Sequence, residues 1–222
     1  MNQLIDNHGA PDKPEIAVLY ADEALLVLNK PAGLLSVPGR GPDKQDCLTS
    51  RVQAAFPGAL TVHRLDMSTS GLMLMVRGLS VQRDLQRQFE RREVNKTYIA
   101  LVDGRIPPPR GEIDLPLIND WPNRPRQKVD HAQGKPSLTR YQVLEYDPQA
   151  KISRLELQPV TGRSHQLRVH LQAVGHAILG DPLYASAPVQ RKAPRLLLHA
   201  ESIGLRHPIS NEFVVYHCPT PF

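Results

Sequence analysis

The most informative stretch of this sequence is His63-Arg64-Leu65-Asp66-Met67-Ser68-Thr69-Ser70-Gly71. An apolar run from Leu72 to Val76 follows directly, so Asp66 is predicted to lie in a loop that leads into a buried strand. A carboxylate held at the edge of a buried strand can serve as a nucleophile. Asp is equally common at the corner of a turn before Ser and Thr. Taken alone, the stretch leaves both interpretations open.

Short apolar runs separated by prolines continue along the chain. They predict eight β-strands, over Ile16–Tyr20, Leu25–Asn29, Leu72–Val76, Thr97–Val102, Thr139–Glu145, Ile152–Leu157, Leu196–Ala200 and Phe213–Tyr216. In several runs polar residues alternate with apolar ones, as in half-buried antiparallel strands. With few helices between them, these strands predict an α+β fold built on a mixed, largely antiparallel sheet.

A first amphipathic helix is predicted from Val81 to about Arg92, with Ser80 as its N-cap. Val81, Leu85 and Phe89 are four residues apart and would share one face of this helix. Arginines crowd the surrounding window together with acidic residues, which is typical of a solvated helix face.

A second helix is predicted from His165 to Val174, capped by Ser164 and ended by Gly175. Arg168 lies about 100° round the helix from Leu167, at the flank of the apolar stripe. We expect its stem to be covered while its guanidinium reaches into a cleft.

The composition is that of an ordinary globular protein, with 41% hydrophobic and 22% charged residues. No apolar run is long enough for a membrane span, and the polar N-terminus lacks the features of a secretory signal, so a cytoplasmic location is expected. The two cysteines and nine histidines show no disulfide or metal spacing, and no dinucleotide or phosphate-loop motif is present. We therefore expect neither a metal site nor a nucleotide-cofactor fold.

The net charge of +5 suits a polyanionic partner. One segment, Trp121 to Lys128, holds Arg124, Arg126 and Lys128 without an acidic residue. Its prolines are expected to keep it out of a helix. This pattern indicates a basic loop that contacts phosphates.

Four segments together resemble the RluA-type pseudouridine synthases. They are the His63–Gly71 stretch, Asn29-Lys30-Pro31, Lys96-Thr97-Tyr98, and Thr161-Gly162-Arg163-Ser164-His165-Gln166-Leu167-Arg168. The segments stand in that family's order and spacing, and the match extends from about Val18 to the C-terminus. The resemblance implies the pseudouridine synthase fold with a central catalytic cleft, and the conversion of uridine in RNA to pseudouridine without a cofactor.

The resemblance also implies roles for single residues. Asp66 matches the catalytic aspartate, Tyr98 the tyrosine against which the target base stacks, and Arg168 the arginine that pairs with the aspartate. Arg64 matches the residue that fills the gap left when the target base is flipped out of the RNA. A guanidinium beside a buried carboxylate favours the charged form, so an Asp66–Arg168 ion pair is expected.

The short length of the chain matches dual-specificity members of the family. Their substrates would be the uridine at position 32 of tRNA anticodon stem-loops and that at position 746, in a hairpin of 23S ribosomal RNA. Residues 1–14 are expected to form a flexible tail, and residues 15–222 a single catalytic domain without the S4-type RNA-binding domain of many relatives. We expect a monomer that does not bind membranes.

Two other functions are compatible with parts of this pattern. The chain could be an RNA-binding module or chaperone with the same fold and no chemistry, although Asp66, Tyr98 and Arg168 argue against that. It could also be a hydrolase that uses Asp66 with a second carboxylate, as glycosidases do. No second acid lies near Asp66 in the sequence.

Overall fold

The computed structural model describes residues 3–5 and 16–222. The strands are β1 (Gln3–Ile5), β2 (Ile16–Ala21), β3 (Leu25–Lys30), β4 (Ala59–Thr61), β5 (Ser70–Arg77), β6 (Asn95–Asp103), β7 (Arg110–Asp114), β8 (Leu117–Asn119), β9 (Gln127–Val129), β10 (Leu138–Asp147), β11 (Ile152–Pro159), β12 (Leu198–Arg206) and β13 (Phe213–His217). The helices are α1 (Leu48–Ala55), α2 (Leu79–Glu90), α3 (Gln166–Ala173) and α4 (Ala187–Gln190), with 3-10 turns at Pro42–Lys44 and Trp121–Asn123.

The chain divides into two compact units. Unit 1 comprises residues 1–95 and 200–221, and unit 2 comprises residues 96–199 with residue 222. Of the predicted tail, residues 1–14, Gln3–Ile5 form β1 and pair with β2, while the rest lies outside the described residues. One catalytic domain over residues 15–222 stays a prediction.

Unit 1 contains a sheet in the order β1-β2-β3-β5-β12, with β4 on β5 and β13 on β12. β3 and β5 form its centre because both are nearly continuous apolar runs, as expected for strands covered on both faces. They pair antiparallel, with Lys30 opposite Gly71. This pairing brings the end of β3 to the start of β5, directly after the Asp66 loop.

Unit 2 contains the antiparallel order β6-β11-β10-β7 and the separate hairpin β8-β9. Apolar side chains of β6, β10 and β11 alternate with polar ones, and they pack with Leu167 and Leu171 of α3 into one core cluster. The fold is α+β with a largely antiparallel sheet, as predicted.

Both predicted helices exist, but their first residues differ from the prediction. α2 begins at Leu79 after Gly78, so Ser80 lies in the first turn and is not the N-cap. α3 begins at Gln166, and its N-cap is His165 in a left-handed conformation (φ 54°), not Ser164. The eight strand predictions are confirmed, although β12 starts two residues later than predicted.

The surface of α2 agrees with a solvated helix face. Arg83, Arg87 and Arg91 are exposed, and the Arg87 guanidinium lies 3.4 Å from the Asp84 carboxylate. Of the helices in the described part of the chain, none is long and apolar enough to cross a membrane. Cys47 and Cys218 are both buried, and neither is in a disulfide.

Candidate active site

Asp66 lies in a loop of unit 1 that is held on both sides by hydrogen bonds. Its backbone carbonyl accepts the N–H of Thr69 at 3.1 Å, which closes a turn, and its side chain is half-buried. Before it, the Ser36 hydroxyl donates to the Leu65 carbonyl at 2.7 Å and accepts the Leu65 N–H at 3.1 Å. The loop therefore forms the predicted turn and also holds a carboxylate at the start of a buried strand.

Lys30 supports this loop from the end of β3. Its side chain is fully buried, and its ammonium donates to the carbonyls of Pro31 at 2.8 Å, Leu34 at 2.8 Å and Met67 at 3.1 Å. Burial lowers the pKa of Lys30 to about 7, and the charge of Asp66 acts in the opposite direction. Three carbonyl acceptors match the three N–H bonds of an ammonium ion, so the geometry suits the charged form.

Arg64 is exposed next to this loop. Its neighbour His63 is fixed, because Nε2 accepts the Leu74 N–H at 2.9 Å and the ring lies 4.9 Å from that of Phe89. His63 is thus a hydrogen-bonded structural histidine. The predicted role of Arg64 in filling the gap left by a flipped base stays a prediction.

Arg168 belongs to unit 2, where it forms a buried ion pair. Nε donates to Oδ2 of Asp181 at 2.8 Å and Nη2 donates to Oδ1 at 2.7 Å, with side-chain exposures of 3% and 1%. The whole side chain is therefore buried, whereas the sequence predicted a covered stem at the flank of α3. The Asp66–Arg168 pair stays a prediction.

Asp181 was not identified from the sequence. It follows the buried residues Ile178 to Gly180 and precedes Pro182, a pattern that indicates only a turn. Besides Arg168, its Oδ1 accepts the backbone N–H groups of Leu183 at 2.9 Å and Tyr184 at 3.2 Å.

Tyr184 was also missed, because a single buried tyrosine is usually a packing residue. Its hydroxyl lies 2.7 Å from Nδ1 of His165 and accepts the Gln127 N–H at 2.8 Å. Its ring lies 5.0 Å from the Arg168 guanidinium and 5.4 Å from that of Arg126.

Tyr98 lies in β6 opposite Leu157 of β11. It is half-buried and packs against the core cluster of unit 2. This position is compatible with packing and with a role as a stacking platform, and its predicted catalytic role stays a prediction.

The basic segment lies mostly in a loop, as predicted, and this loop connects β8 to β9 in a hairpin. Trp121–Asn123 form a 3-10 turn, and Gln127–Val129 form β9, which pairs with β8. The prolines exclude an α-helix, as expected, but β9 begins after the second one.

The three basic side chains of this hairpin are exposed. Arg124 stacks on the Trp121 ring at 4.0 Å, Arg126 lies over Tyr184, and Lys128 is 4.0 Å from Asp130. Stacking leaves guanidinium N–H groups available to phosphates while limiting the movement of the side chains.

Within the described residues, no group of three or more His, Cys, Asp or Glu side chains is arranged to hold an ion.

Known proteins resemble this chain over most of its length. A family model described as RNA pseudouridylate synthase matches residues 24–173. The chain is 48% identical over 218 residues to the dual-specificity RNA pseudouridine synthase RluA of Escherichia coli strain K12, covering 98% of this chain and 99% of that one. It is 50% identical over 205 residues to RluA of Yersinia pestis, covering 92% and 99%.

A solved structure supports the same assignment. Human RNA pseudouridylate synthase domain containing 1 is 33% identical and superposes with a TM-score of 0.76, covering 92% of this chain and 83% of that chain. The chain belongs to the RNA pseudouridylate synthase family, and it is therefore a pseudouridine synthase, an isomerase that acts on RNA.

Proposed function

We propose that this protein isomerises uridine to pseudouridine in RNA stem-loops, with Asp66 as the catalytic carboxylate. The observation that carries the proposal is the Asp66 loop, whose backbone is fixed by Lys30 and Ser36 while its carboxylate stays half-buried. The base is detached from C1′, turned and rejoined through carbon. Substrate and product are isomers, so the reaction balances without an oxidant, a reductant or a cofactor.

Other residues receive roles in the same proposal. A uridine in a stacked loop must be flipped out to reach a half-buried carboxylate, at a cost of about a few kcal/mol. Arg64 would fill the gap that the base leaves, and Tyr98 would stack on the base, a contact that contributes about 1–3 kcal/mol. Arg168 would pair with Asp66, and its replacement by Met is expected to lower activity sharply.

The substrates proposed are the uridine at position 32 of tRNA anticodon stem-loops and the uridine at position 746 of 23S ribosomal RNA. Support comes from the exposed basic hairpin with Arg124, Arg126 and Lys128, and from the identity to the dual-specificity relatives. Stem-loops suit this site, since specific RNA recognition favours bases that can be splayed out. Both RNAs are cytoplasmic, and we place the activity there.

The Asp66→Asn variant tests the chemistry. It is expected to bind an RNA stem-loop with unchanged affinity and to form no pseudouridine, because the amide cannot act as a nucleophile or base. Pseudouridine is measured by mass spectrometry of the digested RNA. The control is Asp84→Asn, a half-buried aspartate of α2 that should retain activity. Full activity of Asp66→Asn would show that Asp66 is not the catalytic carboxylate. RNA binding by the wild type without any pseudouridine would support an RNA-binding module, and release of free uracil would identify a hydrolase.

Mapping pseudouridines in cells with and without this gene tests the substrates. Loss of the modification at both positions is the expected result. Changes at other uridines alone would contradict the dual assignment and leave the reaction class intact.

A further inference from the structure

One cluster in unit 2 lies outside the residues given a role so far. It consists of Asp181, Tyr184 and His165, and it surrounds Arg168. The inference drawn from it rests on the proposed function, because it concerns how Arg168 is oriented for that reaction.

Asp181 fixes the orientation of Arg168. Two parallel hydrogen bonds from one edge of a guanidinium to a carboxylate define its plane as well as its distance. The pair uses Nε and Nη2, so the direction of the remaining nitrogen, Nη1, follows from the pair. Asp181 is itself held by the N–H groups of Leu183 and Tyr184, which both donate to its Oδ1.

Tyr184 joins this pair to the basic hairpin. Its ring contacts the guanidinium of Arg168 and that of Arg126, and its hydroxyl accepts the Gln127 N–H of β9. The same hydroxyl bonds to His165, the residue that starts the helix carrying Arg168. One side chain thus contacts the hairpin, the start of α3 and the ion pair.

We propose that Asp181 and Tyr184 are positioning residues, and that Tyr184 couples RNA binding by the hairpin to the orientation of Arg168. Asp181 acts on the chemical step through Arg168. The Tyr184 hydroxyl acts on RNA binding through β9, and the Tyr184 ring acts on both. Phosphates bound by the hairpin would thereby favour the same arrangement that orients Arg168.

The first test uses Asp181→Asn, which leaves the size of the side chain almost unchanged. An amide nitrogen cannot accept the bond from Arg168, so the guanidinium loses its fixed plane. We expect kcat to fall about a hundredfold, the order of loss that a misplaced group causes, while KM for an RNA stem-loop stays within about twofold. Asp181→Glu keeps the charge and is expected to restore part of kcat. Wild-type kcat in Asp181→Asn, or a loss of kcat that Asp181→Glu does not relieve, would overturn the role of Asp181.

The second test uses Tyr184→Phe, which removes only the hydroxyl, and it remains decisive if Asp181→Asn does not fold. The hydroxyl bonds to both the Gln127 N–H and His165 Nδ1 are then lost. We expect KM to rise about fivefold, which corresponds to the lost bond to β9, and kcat to stay within about twofold of the wild type. The control is Tyr141→Phe, since Tyr141 is a similarly buried tyrosine of unit 2 whose hydroxyl donates to the Pro108 carbonyl. Equal changes in both variants, or an unchanged KM in Tyr184→Phe, would overturn the coupling. Tyr184→Leu, which removes the ring, should lower kcat as well.

A readout without RNA separates this inference from the proposed function. The Nε–H signal of Arg168 in the NMR spectrum of the free protein should be sharp in the wild type and in Tyr141→Phe. It should be broadened in Asp181→Asn. If the wild type made no pseudouridine, the proposed function would fail while this signal still decided whether Asp181 fixes Arg168. An unchanged signal in Asp181→Asn would overturn the inference while the proposed function stood.

Discussion

Lys30 is a buried charge whose partners are three backbone carbonyls. Buried charges are tolerated when every donor is paired, and here each ammonium N–H has an acceptor. One of these acceptors, the Met67 carbonyl, also accepts the Gly33 N–H at 2.8 Å. Lys30 therefore stabilises the segment next to Asp66 and contributes positive charge beside it.

The pH dependence of stability provides a test of Lys30. Its pKa in the folded protein, about 7, lies below the ordinary value of 10.5, so the unfolded chain keeps this proton to higher pH. Between pH 7 and pH 10.5 Lys30 is therefore more protonated in the unfolded chain than in the folded protein. The free energy of unfolding consequently rises with pH from about 7 to 10. We expect this rise, on the order of a few kcal/mol, in the wild type.

The matched variant is Lys30→Met, which lacks the titrating group. Urea denaturation at a series of pH values should show that the wild type gains stability relative to Lys30→Met across this range. Parallel stability profiles for the two proteins would contradict the lowered pKa.

At the scale of residues, sequence reasoning identified Asp66, Arg64 and Arg168 as candidates but missed the groups that hold them. Asp66 stands in a distinctive local pattern, whereas Asp181 and Tyr184 are single residues whose partners come from elsewhere in the chain. Arg168 and Asp181 are 13 positions apart, and Gln127 and Tyr184 are 57 apart. Side-chain contacts over such separations depend on the packing of the whole unit.

Among the strands, β5 has at its second residue a position that suits only glycine. Gly71 has φ +107°, and a Cβ there would overlap the backbone of Ala200 in β12. Gly71→Ala is expected to destabilise the protein by about 3 kcal/mol, since backbone strain and a steric clash act together. Gly58→Ala is the control because Gly58 also has a positive φ but nothing within 4 Å, and about 1 kcal/mol is expected. The free energy of unfolding is measured by urea denaturation. Equal losses in Gly71→Ala and Gly58→Ala would show that movement of β12 relieves the clash.

The β8-β9 hairpin is an element whose charge should determine RNA affinity. Replacing Arg124, Arg126 and Lys128 by Gln should weaken stem-loop binding and reduce the slope of log affinity against log salt by about 2. The reason is that a variant that makes fewer phosphate contacts displaces fewer counterions from the RNA when it binds.

A second triple variant, Arg110, Lys151 and Arg191 to Gln, removes the same charge from exposed positions outside the hairpin. It should leave most of the slope intact. An equal reduction in both triple variants would indicate a general charge effect and would contradict a specific role for the hairpin.

Some elements could not be predicted because their determinants are uncommon. α1 begins at a capping box in which the Cys47 thiol accepts the Ser50 N–H and the Ser50 hydroxyl accepts the Cys47 N–H. A thiol is a rare cap, so no start signal was visible. The strand predictions were more successful because their signal, a short apolar run between prolines, is local.

At the scale of the whole molecule, the fold class followed from the frequency and length of the apolar runs. The division into units did not, because unit 1 includes residues 200–221 from the far end of the chain. His207 lies 2.9 Å from the Asp22 carboxylate, and Gln88 donates to the Arg206 carbonyl. These contacts close loops of more than a hundred residues, and no local pattern encodes them.

The antiparallel register between β3 and β5 restricts where relatives of this protein can gain or lose residues. Because Lys30 pairs with Gly71, the distance along the chain from Asp66 to Gly71 sets where the carboxylate sits relative to the ammonium. Inserting one residue between them would reverse the faces of β5 or displace Asp66 by a residue length. The length of the segment from Gly33 to Leu65 is not restricted in this way. Its two ends are held by hydrogen bonds from the Gly33 N–H to the Met67 carbonyl and between Ser36 and Leu65. Relatives should therefore differ in length within that segment and keep a constant interval from Asp66 to Gly71.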